Sequence, residues 1–246
     1  MRKTSLGKKK LAGLLALILS LALALGCVLY VESYYRADIG ALSYVPARPI
    51  NETALEGGYL LFDPGDAQTG FIFYPGGKVE RDAYIPLMRR LAERGVLCVL
   101  CSMPLRLAVL DLHAADGARE EIAQITHWYV GGHSLGGAAA AMELNKHPGV
   151  YDGLILLGAY STKDLSAQPI RVLSVYGSLD GVMDREKYAA CRKNLPPDAR
   201  EYVIDGGNHA CFGAYGRQKG DGEAVITNEA QLDQCADAVA SFLIGA

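Results

Sequence analysis

The sequence predicts an α/β fold: a mostly parallel sheet flanked by helices, preceded by one N-terminal transmembrane helix. Three observations carry this. Short apolar runs of four to six residues alternate with longer stretches of helical spacing. The runs are rich in β-branched and aromatic residues and are continuously apolar, as strands buried on both faces of a parallel sheet are. A 21-residue stretch, Leu11–Val31, carries no charge, which is enough to cross the hydrocarbon core as a helix.

Taken in order, residues 1–10 form a basic tip. Arg2, Lys3, Lys8, Lys9 and Lys10 face no acid there, and such a cluster stays on the cytoplasmic side of a membrane. Residues 11–31 read as a signal anchor, with Tyr30, Tyr34 and Tyr35 near the far interface. This orientation puts the rest of the chain outside the cytoplasm. Two alternatives remain open. Ala22-Leu23-Ala24 resembles a signal-peptide cleavage site, which would release the chain as a secreted protein, although the apolar run continues past it. Cys27 is a candidate for lipid attachment. Residues 32–58 are expected to be a juxtamembrane connector, broken up by Pro46, Pro49, Gly57 and Gly58.

Residues 59–246 make up the globular domain. Strands are expected at Tyr59–Phe62, Phe71–Tyr74, Val96–Cys101, Trp128–Gly132, Leu154–Gly158, Val172–Tyr176 and Glu201–Ile204. Four apolar stripes predict helices between and after them. These are Tyr84, Leu87, Met88 and Leu91, stopped at Gly95; Leu112, Ala115, Ile122 and Ile125; Ala138, Ala139 and Met142; and Leu232 to Leu243.

Composition excludes several classes. The chain has 246 residues, half of them hydrophobic, and a formal net charge of −3, so it is not a disordered segment. A sequence pI of 6.0, with no basic run beyond the first ten residues, gives no footprint for nucleic acid. A single apolar span excludes a polytopic membrane protein. The six cysteines form no recognisable framework. Cys98 and Cys101 fall in one strand with side chains on opposite faces, so they do not pair. No metal and no organic cofactor is expected. The partners expected are membrane lipid, through residues 11–31, and a small-molecule or membrane-surface substrate.

The sharpest motif is Gly132-His133-Ser134-Leu135-Gly136-Gly137. It follows an expected strand and opens an alanine-rich helix, the context in which a G-x-S-x-G turn exposes its serine above a sheet edge. The Leu135 amide then sits at a helix N-terminus, suited to a developing oxyanion. A serine hydroxyl needs a base. Of the five histidines, His133 lies inside the turn, His147 ends the following helix, His127 precedes a strand and His113 lies on a helix. His209 follows the strand Glu201–Ile204 in a loop at its carboxyl end, where such a base belongs. The base needs an acid to fix its tautomer. Asp180, just past Val172–Tyr176, is favoured over two rivals. Asp184 is expected to open a helix, and Asp205 is too close in sequence to His209. The second oxyanion donor is sought in Pro75-Gly76-Gly77-Lys78, with Gly77 as first choice and Lys78 as second.

With these residues in hand, the chain resembles the α/β-hydrolase superfamily, more narrowly its dienelactone-hydrolase-like branch, the α/β-hydrolase fold-5 domain. The resemblance is carried by FYPGGKVE (73–80), GGHSLGGAAAA (131–141), DGLILLGAY (152–160), SVYGSLDGV (174–182) and GGNHACFGAYG (206–216). It implies catalytic roles for Ser134, Asp180 and His209 and hydrolysis of carboxylic esters or related acyl bonds. Thioesterase, peptidase or acyltransferase chemistry on the same triad, or a non-catalytic binding protein on the same fold, are the alternatives. Dienelactone hydrolases carry a cysteine where this chain has Ser134, so their substrate is not carried over. About twelve residues separate Gly158 from Arg171, too few for the cap domain that this superfamily often inserts there. An open site without a sizeable cap is expected, with 212–223 either a mobile rim or a plain surface loop.

Overall fold

The structure is a computed structural model that describes residues 4–40, 43–122 and 124–245. The chain divides into two compact units, the first ending at Tyr34 and the second beginning at Tyr35.

The first unit is a single helix, α1 (Thr4–Glu32). Its Lys10–Glu32 stretch has 23 residues and a mean hydropathy of 2.7, which makes it long and apolar enough to cross a membrane. Apolar residues occupy every face of that stretch.

The second unit is built on an eight-stranded sheet. Its strands are β1 (Asn51–Ala54), β2 (Leu60–Asp63), β3 (Thr69–Tyr74), β4 (Leu97–Leu100), β5 (His127–His133), β6 (Gly153–Leu157), β7 (Arg171–Gly177) and β8 (Arg200–Ile204). They lie in the order β1-β2-β4-β3-β5-β6-β7-β8. β1, β2 and β4 pair antiparallel, and the remaining pairings are parallel. All seven strands expected from the apolar runs are present. β1 falls inside 32–58, the expected connector. Its residues are Asn-Glu-Thr-Ala, all exposed, so it has no apolar run to announce it. Tyr35 from the same segment bridges to Val79. Its amide donates to Lys78 O at 2.8 Å, and its carbonyl accepts from Glu80 N at 2.8 Å.

Five helices cover the sheet: α2 (Ile85–Glu93), α3 (Ala114–Glu121), α4 (Leu135–Lys146), α5 (Arg185–Cys191) and α6 (Asn228–Ile244). α2 and α6 close one core with Phe71, Phe73, Tyr129, Ile155 and Leu173. α4 closes the other with Ile72, Tyr74, Val130, Leu154 and Leu156. Successive residues of β3 thus enter opposite cores, which is why its run is apolar without alternation. α3 is shorter than its stripe suggests: it ends at Glu121, and Ile122 and Ile125 are buried in the turn beyond it.

The chain order reverses between β3 and β5, with β4 on one side of β3 and β6 on the far side of β5. In such sheets ligands bind outside the carboxyl ends of the strands at this point of reversal. Gly77 belongs to the loop after β3 and Ser134 to the turn after β5.

Candidate active site

Ser134 joins β5 directly to α4 with φ 53° and ψ −121°, a conformation disfavoured for a residue with a side chain. Holding a residue there costs on the order of 1–3 kcal/mol and requires that its surroundings leave it no alternative. The surroundings do so. The Ser134 amide donates to Leu157 O on β6 at 2.9 Å. A Cβ on Gly132 or on Gly136 would overlap the Tyr74 carbonyl oxygen, so glycine at both positions lets strand, turn and helix close around the serine.

His209 stands at the tip of β8. Its Nδ1 lies 2.8 Å from Asp180 Oδ2, and both side chains are buried. An ionised carboxylate only accepts, so Nδ1 carries the proton and Nε2 is the basic nitrogen. That Nε2 is buried with no hydrogen-bond partner among the described residues, Ser134 Oγ included. Catalytic hydrogen bonds are commonly open before substrate arrives. The remaining Asp180 oxygen accepts the amides of Val182 at 2.9 Å and Met183 at 2.8 Å, which fixes the carboxylate plane.

The structure thus joins Asp180 to His209 and sets both beside the tip of β6, whose Leu157 O holds the Ser134 amide. Gly158, the next residue, has φ +52°, and a Cβ there would come within 2.9 Å of His209 Nδ1 and 3.2 Å of Asp180 Oδ2. The rival acids are engaged elsewhere. Asp184 caps α5 by accepting from Lys187 N, and Asp205 accepts from the Ser178 hydroxyl.

Leu135 is the first residue of α4, so its amide has no partner within the helix. In the facing loop, Gly76 N donates to Tyr84 Oη at 3.0 Å and Lys78 N to Arg106 O at 2.9 Å. The Gly77 amide between them has no acceptor among the described residues. A Cβ on Gly77 would lie 2.9 Å from Leu135 Cδ2, which places this glycine against the helix start.

Several residues with a part in this geometry escape sequence reasoning. The His133 ring packs on that of His209, with centroids 4.4 Å apart, and its Nδ1 lies 2.8 Å from Tyr84 Oη. Gly76 N already donates to that oxygen, so the Tyr84 hydroxyl proton goes to His133 Nδ1. Burial, reinforced by the neighbouring His209, holds the His133 imidazole well below its ordinary value, so it stays neutral. Burial likewise pushes the Tyr84 phenol up.

Asp221 accepts from the amides of Gly181 at 3.0 Å, His209 at 3.2 Å and Ala210 at 2.8 Å, and so ties the Asp180 loop to the His209 loop. Gln231, fully buried on α6, clamps the backbone of Asn208 in both directions. The segment 212–223, expected as a mobile rim or a plain surface loop, is therefore anchored. Phe212 and Tyr215 are buried, and Asp221 is bonded into the site. A cavity of about 660 Å³ lies behind it, lined by Arg217, Gln218, Asp221, Asn228 and Glu229 among others, and does not reach Ser134.

Comparison with known proteins agrees with the fold. Residues 70–233 match the family model described as "Alpha/beta hydrolase family". The chain belongs to the alpha/beta hydrolase family. Solved structures similar to this chain include three with distant sequences. A dienelactone hydrolase from Anabaena variabilis aligns with a TM-score of 0.57 at 17% identity. Est1E from Butyrivibrio proteoclasticus aligns with a TM-score of 0.56 at 15% identity, and TT1662 from Thermus thermophilus with 0.55 at 15%. Each alignment covers 80% of this chain and 98% of the other. At these identities the likeness is one of fold. No curated relative matches the chain at a significant level.

Proposed function

We propose that the protein is a membrane-anchored, extracytoplasmic serine hydrolase that cleaves carboxylic esters or related acyl bonds through Ser134, His209 and Asp180. The observation that carries this reading is the buried Asp180–His209 pair at 2.8 Å, whose Nε2 has no partner among the described residues, together with a serine held at positive φ in the β5–α4 turn. A strained serine and an oriented imidazole are costly to maintain and are useful for nucleophilic attack.

In this mechanism His209 Nε2 takes the Ser134 proton as Oγ attacks the acyl carbonyl. The tetrahedral oxyanion is held by the amides of Leu135 and Gly77, each donor contributing on the order of 10²–10³ in rate. The same histidine returns the proton to the leaving group. It then activates the water that frees the acid. A neutral His133 at its back suits this cycle, because a second imidazolium would oppose the charge that His209 gains. Leu105, Val109 and Leu110 stand exposed around Arg106, the residue that holds the Gly77–Lys78 loop. They offer an apolar surface to the acyl chain.

A panel of acyl esters of graded chain length tests the reading. Turnover is expected to favour apolar acyl chains and to fall by on the order of 10⁴–10⁶ in Ser134→Ala. No hydrolysis of any ester, or a Ser134→Ala variant as active as the parent, would refute it; preference for thioesters or amides would redirect it to those bonds. For location, protease added to intact cells is expected to digest the domain beyond Tyr35. Complete protection would reverse the proposed orientation, and release of the chain into the medium would favour cleavage of residues 11–31 over anchoring.

A further inference from the structure

We propose that His113, Asp116, Glu143 and His147 form a binding site for one transition-metal dication, zinc by the chemistry of the donor set. The four sit at the junction of two helices. His113 is the residue before α3 and Asp116 lies in its first turn, while Glu143 and His147 share one face at the end of α4. One ligand atom from each lies within 4.8 Å of all the others.

The two spacings at His113 fit a metal better than they fit direct bonding. His113 Nδ1 is 3.5 Å from Asp116 Oδ2 and 3.5 Å from Glu143 Oε2, too long for good hydrogen bonds. They are close to ~3.4 Å, the edge of a tetrahedron whose metal–ligand bonds are ~2.1 Å. The Glu143 side chain is fully buried. Its Oε1 accepts from His147 Nδ1 at 2.7 Å and from the Tyr151 hydroxyl at 3.4 Å. Its Oε2 is buried, has no hydrogen-bond partner among the described residues, and faces His113 Nδ1.

A buried carboxylate oxygen without a donor is costly, and a second carboxylate close by raises that cost. A dication among the four resolves both. Two imidazole nitrogens with two carboxylate oxygens favour zinc over calcium or magnesium, which prefer all-oxygen shells. On binding, His147 presents a bare Nδ1 and carries its proton on Nε2 instead, which the partly exposed ring allows without net proton release.

The site clips α3 to the far end of the helix that begins beside Ser134. Twelve residues of α4 separate the two ends, about 18 Å, so the metal's role is to hold α3 in place and not to take part in the acyl chemistry. It stands independently of the function proposed above.

The test uses the full chain in detergent, without a histidine tag, stripped with chelator and dialysed against zinc. The expected result is one zinc retained per chain, a cobalt derivative with the visible bands of tetrahedral coordination, and an unfolding midpoint raised by zinc but not by magnesium or calcium. His113→Ala removes a mostly exposed side chain, so it spares the fold; it and His147→Gln are each expected to weaken zinc binding by at least ~10-fold and to abolish the midpoint shift. Failure to retain zinc, or zinc held equally well by both variants, would overturn the proposal.

Discussion

At Gly158 a side chain would have to occupy the space that the His209 ring fills. Alanine there would meet Nδ1 at 2.9 Å and Cε1 at 3.1 Å, at a φ of +52° that costs a non-glycine residue about 1–2 kcal/mol. Gly158→Ala is therefore expected to leave ester binding nearly intact and to lower kcat about 10²-fold, since a displacement near 1 Å is enough to misalign a base. Steady-state kinetics separate the two parameters; an unchanged kcat would show that the ring has room to spare. His133 gives a prediction of different sign and origin. Its imidazole is depressed in the fold, so above pH ~6.5 neither folded nor unfolded chain binds that proton and it contributes nothing. Below that value the unfolded chain takes up a proton the fold refuses, and stability falls by up to ~1.4 kcal/mol per pH unit. Denaturant unfolding at about pH 5 and about pH 7.5 is expected to show a shallower loss in His133→Asn than in the parent. The placement of Ser134 at a strand-to-helix turn, and of Asp180 and His209 in loops past apolar runs, could be read from the sequence because a G-x-S-x-G turn and the ends of buried strands have local requirements. Gly158, Asp221 and Gln231 could not, because they act through contacts with segments distant in sequence. Asp221, for one, accepts from an amide 40 positions away.

Among the elements, the strands of the parallel sheet could be read from composition because both faces of each are buried and each run must be apolar throughout. β1 could not. It is a short, polar edge strand that contributes backbone hydrogen bonds and no core. Its place matters nonetheless, because it covers the open edge of β2, and an uncovered edge invites pairing with another chain. The residues around Tyr35 add a second tie, to the loop that carries Gly77. A fragment beginning at Tyr35 is therefore expected to fold and to keep the activity of the full chain toward soluble esters. A fragment beginning at Tyr59 is expected to unfold at lower denaturant or to aggregate. Equal unfolding midpoints for the two would show that the segment before Tyr59 is only a tether.

For the whole molecule, the chain divides between Tyr34 and Tyr35. α1 is long and apolar enough to span a membrane, and the second unit holds every residue assigned to the reaction. Apolar patterning marks the helix of the first unit and the buried strands of the second in the sequence, whereas the start of the second unit at Tyr35 rests on polar residues that carry no such pattern. The positions of the loops above the sheet were not visible, because they depend on which carbonyls and carboxylates accept which amides. The reaction depends on whether His209 makes the Ser134 hydroxyl nucleophilic. Mass-spectrometric mapping of the adduct left by a fluorophosphonate on the native chain tests this most directly. The expected result is a single adduct on Ser134, absent from Ser134→Ala and formed far more slowly in His209→Ala; no adduct, or one that forms equally fast without His209, would contradict it.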